Sequence, residues 1–238
     1  MSADPAHRFL FYASDLERSS ERVVLTGDEH HHVSRVLRIP PGETVYVTNG
    51  RGMIAKCRIS ESASRETRLV IDGVEEDNPA PRAVTLALAL LKKDAFVRAV
   101  DQCTELGITR CIPFESEKTH IKRYSPVFID RLRRVALSAM KQSFRSVLPD
   151  IDPAARFDDL LARAEETAVV IVGDSAAGSP GVVARNEPLM IVVGPEGGLT
   201  DRERGALAAV GARAVSVSPF RLRSETAAAS LVSLAFST

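Results

Sequence analysis

Two short segments near the end of the chain combine backbone freedom with charged side chains. They are Gly194-Pro195-Glu196-Gly197-Gly198 and Ser218-Pro219-Phe220-Arg221-Leu222-Arg223-Ser224-Glu225-Thr226. Each follows an apolar β-like run, Leu189 to Val193 and Ala214 to Val217, and each precedes a helix-like run. Turns of this kind at one edge of a parallel sheet present bare N–H and C=O groups to a small ligand. Their charged residues are of the types that manage charge on a reacting group. Arg221 and Arg223 are cationic forks that match developing oxyanions. Glu196 or Glu225 is a candidate proton acceptor. The competing reading has Glu225 capping the helix it begins and Glu196 bonding loop amides.

Other chemistries are excluded or weakened by what stands elsewhere. The first strand of the α/β part runs into Leu91-Lys92-Lys93-Asp94, with neither a Gly-x-Gly-x-x-Gly turn nor a Walker lysine-serine pair. That argues against a Rossmann dehydrogenase, a Rossmann methyltransferase and a P-loop NTPase. Consecutive side chains on a helix point about 100° apart, so His30, His31 and His32 cannot converge on a metal, and none is expected. His32 reads instead as a residue that packs the helix or faces a partner. Net charge is zero, but eight basic residues against the single acid Asp130 fall between Lys118 and Arg145. Such a run makes a phosphate-attracting face or, alternatively, a solvated helix surface.

The elements that would carry these residues separate into two regions. Short strand patterns at Arg22 to Leu25, Thr44 to Val47, Met53 to Ile59 and Arg68 to Val74 are punctuated by Pro40-Pro41-Gly42 and Asn49-Gly50-Arg51-Gly52. Asn49-Gly50 marks a hairpin, and a helical stretch from Asp28 to Leu37 interrupts the strands. The set predicts a small β-barrel. The polar, proline-bearing stretch Glu75 to Pro81 places a domain boundary, giving a barrel over 1–76 and an α/β domain over 77–238. Beyond it, apolar strand patterns at Val84 to Leu90, Ile108 to Pro113, Ala168 to Val172, Leu189 to Val193 and Ala214 to Val217 predict a parallel sheet covered on both faces. Helices are predicted before Gly107, after Ser125-Pro126, from the capping box Thr200-Asp201-Arg202-Glu203 to Gly211, and from Glu225 to about Phe236. The last has almost no polar face and must be buried or packed on a second subunit. No apolar run approaches the roughly 20 residues of a membrane helix. The N-terminus lacks a signal-peptide pattern, and Cys57, Cys103 and Cys111 show no metal-ligand spacing, so a reduced, cytoplasmic protein is expected.

With these residues placed, the chain resembles the ribosomal RNA small subunit methyltransferase E family of the SPOUT class, over nearly its full length. The resemblance rests on His32-Val33-Ser34-Arg35-Val36-Leu37-Arg38, on Lys92-Lys93-Asp94, and on Gln102-Cys103-Thr104-Glu105-Leu106-Gly107. It rests equally on Gln142-Ser143, Arg145, the Gly194 to Gly198 loop and Leu222 to Ala227. It implies an N-terminal PUA-like barrel for RNA and a C-terminal α/β domain with a deep trefoil knot, an exception to the near-absence of knots. It implies a homodimer that binds S-adenosyl-L-methionine through Gly173, Asp174, Gly194, Pro195, Glu196, Gly197, Gly198, Val217, Ser218 and Leu222. The implied reaction is methylation at N3 of a uridine in the decoding region of 16S rRNA. RNA contacts are expected at Arg8, Arg35 and Arg38 in the barrel and at Arg123 and Arg145 in the larger domain, meeting phosphates rather than reading bases. Four positions depart from the family pattern. Ser218 and Phe144 stand where glycine is common, Phe220 where arginine is common, and Lys141 where glutamate is common. Alternatives with the same fold are a non-catalytic RNA-binding or ribosome-assembly protein, which the intact loops disfavour, and a methyltransferase acting on another RNA.

Overall fold

The computed structural model describes residues 9–76, 82–177 and 187–236. The chain forms two compact units. The first takes in residues up to 79 together with Met140–Leu148, and the second holds the rest. A linear partition at 76/77 leaves Met140–Leu148 with the larger region, whereas this segment packs within the smaller unit. The break itself falls between 79 and 80, outside the described residues.

The first unit contains strands β1 (Leu10–Tyr12), β2 (Arg22–Thr26), β3 (Thr44–Thr48), β4 (Met53–Ser62) and β5 (Glu66–Glu76), in the sheet order β1-β3-β4-β5-β2. β1 pairs parallel to β3 and the other pairs are antiparallel. β3 and β4 form the predicted hairpin around Asn49-Gly50, with Thr48 opposite Ile54. One core gathers Phe11 from β1, Val23 and Leu25 from β2, Val45 and Val47 from β3, Ala55, Cys57 and Ile59 from β4 and Leu69 from β5. Inward residues of both terminal strands therefore share one core, which requires the sheet to curl. The register shifts between β4 and β5 at Lys56/Cys57 and Ile59/Glu61 supply local bends. The helical stretch is not uniform: α1 (Gly27–His31) passes into a π-helical segment, His32–Leu37. Buried His30 bonds Thr67 Oγ1 at 2.8 Å through Nδ1, and the His32 ring meets Phe11 edge-on.

Two of the four departures from the family pattern explain how residues 140–148 join this unit. Lys141 Nζ lies 2.5 Å from Glu29 Oε1, both side chains largely buried, while Glu29 Oε2 accepts the Tyr12 N–H at 3.2 Å. Phe144 adopts φ +57°, a left-handed conformation that disfavours a side chain, and its ring packs edge-on against Tyr46 with centroids 5.2 Å apart. Removing one partner strands a largely buried charge, so Lys141→Ala should lower stability by about 2 kcal/mol, between the surface and fully buried cases. Urea denaturation checks this. The charge-swapped pair Glu29→Lys with Lys141→Glu should recover much of the loss that Lys141→Glu alone inflicts, and an additive cycle would show the pair to be idle.

The second unit is a parallel sheet in the order β12-β10-β11-β6-β7-β8, with β9 also pairing β7. Its strands are β6 (Val84–Ala89), β7 (Arg110–Glu115), β8 (Asp150–Ile151), β9 (Ala155–Arg156), β10 (Val169–Gly173), β11 (Leu189–Val193) and β12 (Arg213–Val215). The helices are α2 (Lys93–Leu106), α3 (Pro126–Gln142, whose end joins the first unit), α4 (Phe157–Glu165), α5 (Asp201–Ala209) and α6 (Ser224–Phe236). Strand alternation sends Ala87 and Ala89 to the face covered by Phe157 and Leu160 of α4 and Leu207 of α5. On α6, Ala228, Leu231, Val232 and Ala235 are buried, and the helix packs on α2, β6, β10 and β11. The expected α/β architecture with a small β-rich partner unit is thus present, and no helix among the described residues is long and apolar enough to cross a membrane.

Candidate active site

The C-terminal ends of three neighbouring strands, β12, β10 and β11, deliver the chemistry-bearing residues to one place. The order β12-β10-β11 puts the loops after Gly173, Val193 and Val215 side by side. Together they enclose a cavity of about 290 Å³. Its walls include Gly173 and Asp174 from the first loop, all five residues Gly194 to Gly198 from the second, and Val217, Ser218 and Leu222 from the third. All ten residues singled out for cofactor binding therefore line one space. Strand β12 ends at Val215, two residues short of expectation, which frees Ser216 and Val217 to serve as loop.

Two glycines make room for this convergence. A Cβ on Gly194 would lie 3.0 Å from both Leu199 Cγ and Leu199 N, and one on Gly173 would lie 2.9 Å from Leu231 Cδ1. In the Gly194 to Gly198 turn, Gly198 N–H returns to Pro195 O at 2.8 Å with Gly198 at φ +69°. The N–H groups of Glu196, Gly197 and Leu199 find no acceptor among the described residues. Unpaired main-chain donors beside a cavity are what a polar ligand needs.

The carbonyls of the same turn are held by cations. Arg221 donates to Glu196 O at 2.6 Å, Lys118 Nζ donates to Gly197 O and Leu199 O at 3.2 Å each, and Arg204 donates to Leu199 O at 2.8 Å. Lys118 and Arg204 were not among the expected site residues. Arg204 had a legible signal, lying one helical turn after the Thr200 cap. Lys118 is 79 residues from Gly197 and had none beyond its place in the basic run.

The four catalytic candidates divide. Glu196 and Arg221 are exposed residues of the cavity wall, whereas Arg223 and Glu225 are not among the lining residues. Arg223 is exposed on the same segment. Glu225 is buried at the start of α6 and pairs with Arg98 at 2.9 Å. Burial pushes its carboxyl up, but the Arg98 hydrogen bond, its own backbone N–H and the Arg98 and Arg223 charges together hold it below the usual carboxylate range. A carboxylate so held is ionised and occupied, which favours the capping role over proton abstraction. Its contribution to stability is present above its ordinary pKa and is lost as pH falls through the lowered one. With Arg98 half exposed, the pair contributes about 1 kcal/mol at most. Glu225→Gln should then lower Tm by roughly 2–4 °C at pH 7. That difference should shrink as pH falls through the lowered pKa of Glu225, and a difference that persists in thermal scans under acid conditions, where the carboxyl is protonated both folded and unfolded, would point to packing instead.

Of the expected RNA contacts, Arg35 and Arg38 are exposed on and just after the π-helical segment, Arg38 at φ +53°. Arg123 is exposed in the loop before α3, Arg145 is partly buried after its end, and Arg8 lies outside the described residues.

The family model for an RNA methyltransferase domain matches residues 78–236, and that for an RNA methyltransferase PUA domain matches 25–71. The chain is 31% identical over 230 residues to ribosomal RNA small subunit methyltransferase E of Aquifex aeolicus, covering 94% of this chain and 97% of that one. The protein of the same name from Mycobacterium tuberculosis is 31% identical over 231 residues, covering 92% and 88%. Among solved structures, ribosomal RNA small subunit methyltransferase E from Neisseria gonorrhoeae bound to S-adenosyl methionine superposes with a TM-score of 0.86 at 25% identity, covering 95% of both chains. A domain match over most of the chain, full-length relatives and a superposing fold agree, and the chain belongs to the ribosomal RNA small subunit methyltransferase E family.

Proposed function

We propose that this protein transfers the methyl group of S-adenosylmethionine to N3 of a uridine in the decoding region of 16S rRNA. The carrying observation is the one cavity formed by the loops after β10, β11 and β12, with main-chain donors at Glu196, Gly197 and Leu199 that find no acceptor among the described residues. The residues suit the cofactor. Glycines at 173 and 194 let the cavity walls pack where a Cβ would press on Leu231 and Leu199, and loop N–H groups can read the polar edges of an adenosyl or methionyl group. Gly173, Asp174, Gly194 to Gly198, Val217, Ser218 and Leu222 would hold it. Bound there, the cofactor supplies a methyl on a sulfonium, a strong electrophile.

The chain's own residues must then deal with the nucleophile. Uracil N3 carries a proton and attacks only as that proton leaves, while negative charge spreads to the flanking carbonyl oxygens. Arg221, at the cavity wall, and Arg223, two residues on, stabilise that charge. Glu196 is the better placed of the two glutamates to accept the proton, since Glu225 is tied to Arg98. Arg8, Arg35, Arg38, Arg123 and Arg145 meet RNA phosphates and make binding salt-dependent.

The same reading carries a knotted C-terminal domain, supported by α6 returning from the outermost strand β12 across β10 and β11 to β6 and α2. It carries a homodimer, supported by the nearly all-apolar α6, and a cytoplasmic location, supported by three buried free cysteines. Mass mapping of rRNA from cells with and without the protein tests the function. A 3-methyluridine in 16S rRNA should be present only when the protein is, and identical methylation maps would overturn the reading.

A further inference from the structure

We infer that Lys118 is a positioning residue for the cofactor loop, set in place by the fully buried carboxylate of Glu203; this rests on the reading that the cavity takes S-adenosylmethionine. The loop from Gly194 to Gly198 contains three glycines in five residues, so alone it would sample many conformations and its donors would be ordered only on binding. Lys118 opposes this in two ways. Its ammonium donates to two carbonyls of the turn region, Gly197 O and Leu199 O, and its aliphatic stem lies over Gly197, with Cβ and Cδ 3.5 Å from where a Gly197 Cβ would stand.

A lysine can brace a loop only if its own backbone is fixed, and here both flanks are. Ser116 Oγ donates to Glu203 Oε2 at 3.1 Å and Glu117 N–H donates to Glu203 Oε1 at 2.9 Å. On the other side, Thr119 Oγ1 donates to Leu90 O at 2.8 Å. The Glu117 carboxylate is further paired with Arg202. Glu203 also closes the capping box of α5, accepting Thr200 N–H at 2.8 Å, so one carboxylate with no solvent exposure joins the helix that follows the cofactor loop to the segment that carries Lys118. The capping box alone accounts for a glutamate at this position. It does not account for the two further donors from Ser116 and Glu117. Committing the carbonyls of residues 196, 197 and 199 to Arg221, Lys118 and Arg204 leaves the N–H groups as the loop's available polar edge.

The test compares Lys118→Met, which keeps the stem, with Lys118→Arg, which keeps the donors. Two readouts are used: S-adenosylmethionine affinity by calorimetry and hydrogen exchange of the 194–199 amides without ligand. Lys118→Met should bind about tenfold more weakly, with faster loop exchange and an unchanged melting temperature. Lys118→Arg should restore affinity to within a few fold. Glu203→Gln should loosen the same amides while also lowering the melting temperature, because its amide nitrogen faces donors. Wild-type affinity and wild-type exchange in Lys118→Met would overturn the inference, as would a Lys118→Arg protein no better than Lys118→Met. If the wild type bound no cofactor, the functional reading would fall, while the exchange comparison would still decide whether Lys118 braces the loop.

Discussion

Adding one methyl group at Gly194 is expected to weaken S-adenosylmethionine binding about 100-fold, whereas the same addition at Gly173 should cost only a few fold. The contrast follows from what each new Cβ meets. At Gly194 it presses on the main chain, at 3.0 Å from Leu199 N and 3.2 Å from Gly198 C, so relief requires the 198–199 backbone to move. That backbone carries the Leu199 N–H, one of the donors proposed to hold the cofactor. At Gly173 the sole contact inside 3.0 Å is Leu231 Cδ1, the end of a flexible side chain that can rotate away. Calorimetric titration of Gly194→Ala and Gly173→Ala, with melting temperatures alongside, checks the ranking. Equal losses at both sites would mean that loop geometry is not what sets affinity.

The second large effect concerns the arginines. Arg223→Ala should lower single-turnover methylation by about 10²–10³-fold with cofactor affinity unchanged, the usual magnitude for removing one stabiliser of developing oxyanion charge. Arg221→Ala should show a mixed phenotype, because Arg221 also holds Glu196 O at 2.6 Å. Its loss should loosen the cofactor loop and slow the chemistry together. Single-turnover rates at saturating cofactor separate the two contributions. A wild-type rate in Arg223→Ala would remove it from the mechanism and leave the charge to Arg221 alone.

The elements that position this site were legible where local chemistry is strong. The Thr200–Glu203 capping box, the Ser125–Pro126 start and the Asn49-Gly50 hairpin all depend on nearest neighbours, and all are present. The buried strands β6, β7, β10 and β11 were legible because a sheet covered on both faces needs continuous apolar runs. What escaped depends on distant partners or very short spans. β1 is three residues that become a strand through pairing with β3, and β8 and β9 are two residues each, recruited by β7. α4 was readable in principle, with Phe157, Leu160 and Ala164 on one face and Asp158 and Asp159 in its first turn. The helix expected from Asp28 to Leu37 changes to π-helical winding at His32, a distinction that apolar spacing does not encode. In the site, the glycine loops announced themselves because backbone freedom is written in residue type. Lys118 and the Glu203 side-chain contacts did not, since a buried hydrogen-bond network joins residues far apart in the chain.

The most direct measurement is isothermal titration of the purified full chain with S-adenosylmethionine, with Gly194→Ala as the comparison. One binding event per chain is predicted, with a dissociation constant in the micromolar range that rises steeply in the variant. No heat of binding from the wild type up to millimolar ligand, or the same isotherm from both proteins, would contradict the claim that these three loops form the cofactor site.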